Sequence, residues 1–291
     1  MDILGIDIGG SGMKAAPVDT ETGKLSAARC RFRTPSPATP ETVGATIAEL
    51  VKHFAWDGPI GRGFPAVLRH GRTLTASNVA PACIGYEARS LFEEVSHCSV
   101  TVINDADAAG YAEMCFGAGR GVRGVVLIVT LGTGIGTALF SDGHLVPNTE
   151  FGHIEIKGKV AEKWAAASVR KQEELGWKKW AQRLNTYLVH MERYVWPDLI
   201  ILGGGISKKH DKFMPLLSLD TQIVPAQMRN EAGIIGAALT ARRVHESPAV
   251  ALAAATSPVK RGTQHVTLTV FTENSRNLHA LFTQSPYLSV P

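Results

Sequence analysis

Asp105 follows an apolar run, Val100 to Ile103, and stands beside Asn104 where an alanine-rich helix is predicted to begin and to continue to about Phe116. A carboxylate there is a candidate general base, because the helix dipole and the free N–H groups of the first turn favour the ion over the acid. Facing a cleft, such an ion takes a proton from a sugar hydroxyl as a phosphoryl group arrives, a role worth roughly 10²–10⁴ in rate. The alternative is a plain N-cap aspartate. Glu150, His153, Glu155 and Glu162 make a second polar cluster. Carboxylates and imidazole suit a sugar, whose adjacent hydroxyls take bidentate acceptors and a group that can donate or accept. A solvated loop accounts for part of the same cluster. The Glu-His-Glu spacing has some likeness to a metal site, but no cysteine lies near enough to complete a zinc set.

A glycine hairpin occurs twice between β-branched runs. Ile3 to Ile8 lead into Gly9, Gly10, Ser11 and Gly12, then Met13 to Val18 and a turn at Asp19. Val125 to Thr130 lead into Leu131, Gly132, Thr133 and Gly134, then Ile135 to Phe140 and a turn at Asp142. With Asp7 aligned to Thr130, Gly9 falls on Gly132 and Asp19 on Asp142, so the chain is predicted to be two similar halves facing glycine turns across a cleft. Such turns leave amides free to point at an anion, and glycine lets a phosphate approach where a Cβ would block it. Tight hairpins favour glycine as well. A third turn, Gly203, Gly204 and Gly205, follows the strand-like run Leu199 to Leu202. Asp7 points toward the first turn and is a candidate for Mg²⁺, which takes one or two carboxylates plus phosphate oxygens and waters; a core aspartate bonded to turn amides is the alternative. Lys14 either neutralises phosphate charge or stands exposed on its strand. No Walker A pattern is present, and the literal G-x-G-x-x-G at Gly119, Gly121 and Gly124 precedes a strand and opens no helix, which argues against a dinucleotide fold.

These residues need a frame. The chain has 291 residues, 45% hydrophobic and 19% charged, enough for one large domain or two smaller ones. Its net charge of +4 is too small to argue nucleic-acid binding. No apolar run reaches the roughly 18 residues of a membrane span and no basic leader precedes the first strand, so a soluble cytoplasmic protein is expected. Cys30, Cys83, Cys98 and Cys115 show no C-x-x-C spacing and are expected to be reduced and buried. Thr39 and Pro40 end a proline-rich connector as N-cap and first residue of a helix whose apolar face is Val43, Ile47, Leu50, Val51 and Phe54. Glu162 to about Trp196 reads as mostly helical, with Trp164, Trp177, Trp180 and Tyr187 as core anchors. Asn230 to Arg243 is a closing helix. From about Val244 to Pro291 the composition turns to Ala, Ser, Thr and Pro, and a loosely ordered tail is expected.

The ordered motifs at Asp7 to Lys14, Asn104 to Gly110, Thr130 to Gly136, Glu150 to His153 and Gly203 to Ser207 resemble the ROK family of sugar kinases. The stretches Thr34 to Pro40, Pro147 to Glu155, Trp196 to Leu199 and Gly203 to Lys212 look most like its polyphosphate-using branch, and the resemblance covers about residues 2–243. It implies an α/β fold, the actin-like duplication of a ribonuclease H-like unit, with two lobes flanking a cleft. Residues 1–106 would form the small lobe, on which helix 230–243 packs, and 107–229 the large one. It also implies Mg²⁺-dependent transfer of a phosphoryl group from polyphosphate, with ATP as a further donor, to the 6-hydroxyl of glucose, with mannose as a further acceptor. By that resemblance Asp105 is the base. Asn78, Asn104, Glu150, His153 and Glu162 are hexose contacts. Asp7, Gly9, Gly10, Ser11 and Lys14 form the first phosphate turn, and Gly132, Thr133 and Gly134 the second. Gly203 to Gly205 lie by the adenosine of ATP-using members. Lys157 to Lys163 contains none of the cysteines of the family's zinc motif, so no structural zinc is expected. Phe64-Pro65-Ala66 stands where the family commonly has Pro-Gly, and the added methyl is expected to shift or weaken hexose binding. Lys208, Lys209, Lys212 and Arg229 would make a cationic track for polyphosphate; a solvated helix face is the alternative. A homodimer is implied, with no nucleic-acid or membrane partner. The rival readings are an ATP-dependent hexose or N-acetylhexosamine kinase and a non-catalytic sugar-sensing regulator.

Overall fold

The computed structural model describes residues 1–10, 12–69, 71–75 and 80–246. In chain order the first half contains β1 (Asp2–Gly9), β2 (Gly12–Asp19), β3 (Lys24–Leu25), β4 (Cys30–Phe32), α1 (Pro40–His53), β5 (Ile60–Phe64), the small hairpin β6 (Leu68–Arg69) and β7 (Arg72–Thr73), α2 (Ala88–Ser96), β8 (Val100–Asn104) and α3 (Asp105–Phe116). The second half contains β9 (Val125–Leu131), β10 (Ile135–Ser141), β11 (His144–Val146), a hairpin of β12 (Glu155–Ile156) and β13 (Lys159–Val160), α4 (Glu162–Ala165), α5 (Ala167–Gln172), α6 (Trp177–Val195), β14 (Leu199–Gly203), β15 (Gln222–Pro225) and α7 (Ala232–Glu246).

The duplication read from the glycine turns is a duplication of topology. One sheet runs β3-β2-β1-β5-β8, with β4 also on β2, and the other runs β11-β10-β9-β14-β15. In each, a tight antiparallel hairpin (β1 with β2, β9 with β10) is followed by parallel strands laid on its first member. Gly9 pairs with Gly12 and Leu131 with Ile135, so both glycine turns are hairpin tips. The inner strands are covered on both faces, which is why β1 and β14 read as nearly unbroken apolar runs rather than alternating ones. Ile3, Leu4, Ile6 and Ile8, and Ile200 to Leu202, are fully buried.

Helix α1 starts as its sequence dictates. Thr39 caps it, accepting from Thr42 N–H, and Val43, Ile47 and Leu50 pack with Leu4, Ile6 and Ile8. In the other half, Trp180, Tyr187, Leu188 and Met191 of α6 pack with Leu127, Val129 and Leu202, with Trp164 and Trp177 partly buried on the same cluster. These aromatics are core, as expected. Helices α3 and α7 pack on each other, and α7 also lies across β1 and β5. Two glycines permit that approach: a Cβ on Gly61 would overlap the Ala237 carbonyl, and one on Gly236 the Ala108 carbonyl.

Two expectations need adjusting. Cys83 and Cys98 are buried, but Cys30 and Cys115 are only half-buried. The closing helix runs to Glu246, so Val244 to Glu246 are its last turn and not the start of the tail; the rest of that tail lies outside the described residues. Asn78 and Ser11 lie outside them too. Among the described residues no helix is long and apolar enough to cross a membrane.

Candidate active site

The parallel strands deliver their carboxyl ends to one cavity of about 290 Å³, the place where open α/β sheets carry their sites. β1 brings Asp7 and Gly9, β8 brings Asn104 and Asp105, β9 brings Gly132 to Gly134, and β14 brings Gly203 to Gly205. Glu150, His153 and Glu162 enter from the segments that follow β11, and Lys14 from β2. Every described residue that the resemblance assigned to the hexose or to the glycine turns lines this cavity. Glu155 does not; it is exposed on β12.

Asn104, not Asp105, is the N-cap of α3. Its Oδ1 accepts from the amides of Ala106 (2.9 Å) and Asp107 (3.1 Å), and its Nδ2 donates to the Ala66 carbonyl at 3.1 Å. That leaves one amide hydrogen of Asn104 for a ligand. Asp105, the first helical residue, is thereby released from capping and faces the cavity. Its carboxyl is pushed up to about 7, first by burial and then by the nearby charge of Asp7, while the Ala106 amide pulls the other way. The expectation that the helix terminus would keep it an ordinary ion is overturned. Desolvation outweighs the dipole, and the carboxyl is left poised near neutrality.

His153 sits between two carboxylates, with Nδ1 at 3.6 Å from Glu150 Oε2 and Nε2 at 3.9 Å from Glu162 Oε1. Glu150 is also raised from its ordinary value, by burial and by Glu162 against the opposing pull of His153. The three side chains stand together along one side of the cavity, with His153 the most exposed of them. Glu162 further meets the second glycine turn: a Cβ on Gly134 would run into its Oε2.

On the first hairpin, Lys14 Nζ donates to Asp7 Oδ2 at 2.8 Å and both line the cavity, so Lys14 is not a free surface cation. The glycine turns are braced in a way the sequence did not announce. Thr34 donates its hydroxyl to the Gly9 carbonyl at 2.6 Å, and Ser168 ties back the second turn, Oγ to the Thr133 carbonyl at 2.6 Å and N–H to the Gly132 carbonyl at 3.0 Å. One amide expected to be open is used internally, since Gly132 N–H donates to the Gly134 carbonyl at 3.0 Å. At the third turn Gly204 adopts φ +80°, where a Cβ would collide with the Leu131 backbone, and Ser207 closes onto its carbonyl at 2.8 Å. Arg229 lines the cavity nearby, whereas Lys208, Lys209 and Lys212 stand exposed on the adjoining 3₁₀ segment.

Sequence reasoning missed two buried acids. Glu113 accepts from the amides of Ala118 (2.9 Å), Gln227 (3.1 Å) and Met228 (2.7 Å), and so holds the strand exit that leads to Arg229. Asp107 is 1% exposed, and its carboxyl is also pushed up to about 7 by burial, with Glu150 and Asp105 adding to the rise. Its signal was present: it is the second aspartate of the motif that contains Asp105. Glu113 gave none, because a lone glutamate on a helix is most often solvated.

Residues 3–163 match the ROK family. The chain is 49% identical over 237 residues to the polyphosphate glucokinase of Mycobacterium tuberculosis (strain CDC 1551 / Oshkosh), which spans 81% of this chain and 89% of that one. Its structure is similar to that of the inorganic polyphosphate/ATP-glucomannokinase of Arthrobacter sp. strain KM, with a TM-score of 0.82 and 45% identity, over 84% of this chain and 99% of that one. A ROK family glucokinase from Streptomyces griseus, solved with glucose and AMPPNP, shares the fold at a TM-score of 0.74 and 24% identity, over 84% of this chain and all of that one.

Proposed function

The chain belongs to the ROK family, and from that premise we propose that it is a polyphosphate-dependent glucokinase which transfers a phosphoryl group to the 6-hydroxyl of glucose and takes ATP as a second donor. One observation carries the mechanism. Asp105, with its proton affinity raised toward neutrality, faces the same cavity as the Glu150–His153–Glu162 wall and the glycine turns. The wall holds the sugar hydroxyls, and the Asp105 carboxylate receives the proton of the 6-hydroxyl. The sugar oxygen then bonds to the terminal phosphorus as the bond from that phosphorus to the rest of the donor breaks. Such transfer depends on positioning and charge neutralisation more than on covalent chemistry. Gly9, Gly10 and Lys14 meet the donor from one half, Thr133 and Gly134 from the other, and Gly203 to Gly205 with Arg229 line its way out.

Asp7 is the carboxylate that fits Mg²⁺. It stands by the first phosphate turn, and one or two carboxylates are what this ion takes when phosphate and water complete its shell. When bound, it neutralises phosphate charge. The same reading treats residues 1–106 with α7 and residues 107–229 as lobes that close on the sugar and exclude water, and treats the protein as a homodimer, which light scattering of the purified chain checks.

The relatives that bear polyphosphate in their names are 49% and 45% identical, which favours that donor over ATP alone. The test is glucose 6-phosphate formation with polyphosphate and with ATP, on glucose and on mannose. Turnover of glucose with polyphosphate is expected. Turnover with ATP alone would remove the polyphosphate reading.

A further inference from the structure

The sugar side of the cavity is bounded by two backbone segments from different halves of the chain. The first is Pro65–Ala66, just before β6; the second is the stretch after β11 that carries Glu150. One side chain joins them. Asn148 Oδ1 accepts from Leu68 N–H at 2.9 Å, and Asn148 Nδ2 donates to the Leu68 carbonyl at 2.8 Å. A primary amide thus pairs with one residue's backbone donor and acceptor together, as a neighbouring strand would.

Asn148 is itself held. Its backbone has φ +61°, the left-handed region that asparagine tolerates better than other residues with a Cβ. Its N–H donates to Asp107 Oδ2 at 2.9 Å, an acid anchored in the first turn of α3, two residues after Asp105. The next residues are fixed as well: Thr137 donates its hydroxyl to the Thr149 carbonyl at 2.5 Å and accepts from Phe151 N–H at 3.2 Å. A single residue separates Asn148 from Glu150, and a single one separates Leu68 from Ala66, whose carbonyl is held by Asn104. The chain of contacts Asp107–Asn148–Leu68 therefore fixes the distance between the two walls around the hexose.

We propose that Asn148 is a positioning residue for the sugar, clasping Leu68 so that the Ala66 wall and the Glu150 wall stand at the spacing a hexose needs. The proposal rests on the glucokinase reading. Glycine at 148 would keep the left-handed backbone and the amide to Asp107 but lose the clasp; aspartate would keep an acceptor for Leu68 N–H but lose the donor to its carbonyl.

The test is steady-state kinetics of N148G and N148D with polyphosphate as donor, with melting temperatures measured alongside. N148G is expected to raise the glucose KM about tenfold, the scale of one to two lost hydrogen bonds, with the polyphosphate KM within about twofold of wild type. N148D is expected to fall between the two. If N148G does not fold, N148D alone carries the test, and a glucose KM raised at least about threefold supports the clasp. A glucose KM within about twofold of wild type in the folded variant overturns it, and so does an equal rise in both KM values, which marks a merely structural role. Wild-type turnover separates the two claims. Its absence overturns the glucokinase reading and the clasp with it, whereas its presence beside an unchanged variant KM overturns the clasp alone.

Discussion

Lys14 Nζ lies 2.8 Å from Asp7 Oδ2, and the two residues are register partners on the first hairpin, facing the cavity together. A partly shielded pair of this kind contributes about 1 kcal/mol or less to stability, so its placement matters more than its strength. The ammonium stands at the first glycine turn before any phosphate arrives, and it keeps the Asp7 carboxylate from repelling an anionic donor. Lys14→Met is therefore expected to raise the donor KM by about tenfold or more, a charge-assisted contact being worth roughly 1.5–3 kcal/mol, and to leave the glucose KM nearly unchanged. Paired titrations of donor and glucose check this; a change confined to the glucose KM would place Lys14 on the wrong side of the reaction.

Asp105 accepts a proton only as the carboxylate, and its affinity is raised to about 7. In the free enzyme kcat/KM for glucose is thus expected to climb with pH through about 7 and to level off above it. Asp105→Asn should lower kcat by roughly 10²–10⁴ while glucose still binds. Binding calorimetry and a pH profile decide: an acid limb centred near 4 would show that Asp105 keeps its ordinary affinity in the free enzyme, and an Asp105→Asn variant of wild-type kcat would show that some other group is the base.

The duplicated topology was legible because its cause is local. Glycine is placed where a hairpin tip must be tight, and β-branched residues stand where strands are covered on both faces. Asp105, Glu150, His153 and Glu162 were legible as chemistry, and the structure gathers them. What stayed hidden depends on neighbours brought in from far along the chain. The helix terminus at Asp105 promised an ordinary ion, but the amount of protein over it is a tertiary quantity and reverses the sign of the shift. Thr34, Ser168 and Glu113 are unremarkable letters in a sequence, and they matter only because folding aims them at turn carbonyls or strand-exit amides.

Gly134 has a requirement beyond turn geometry, because a Cβ there would meet Glu162 Oε2. The obstacle is the end of a flexible carboxylate, so Gly134→Ala is expected to fold with a stability loss of about 1 kcal/mol and to push Glu162 off the sugar wall. The glucose KM should then rise several-fold, joining a residue of the phosphate turn to hexose affinity. A rise in the donor KM alone would show that Glu162 does not serve the sugar.

Asp107 sets a pH dependence of stability with a definite sign. Burial raises its carboxyl from 3.8 to about 7, so between those values the folded protein binds more protons there than the unfolded chain does. Stability from this group is therefore present below about pH 4, lost as pH climbs toward 7, and flat above, the opposite of a salt-bridged aspartate. The loss is bounded at about 4 kcal/mol. Asp107→Asn keeps an oxygen for the Asn148 amide and removes the titration, so the variant is expected to gain on wild type between pH 5 and pH 8. Denaturant midpoints at the two pH values measure it. If the difference between the proteins is the same at both, Asp107 is already ionised when buried, and the source of that ion's compensation must be sought around its Oδ1, which has no hydrogen-bond partner among the described residues.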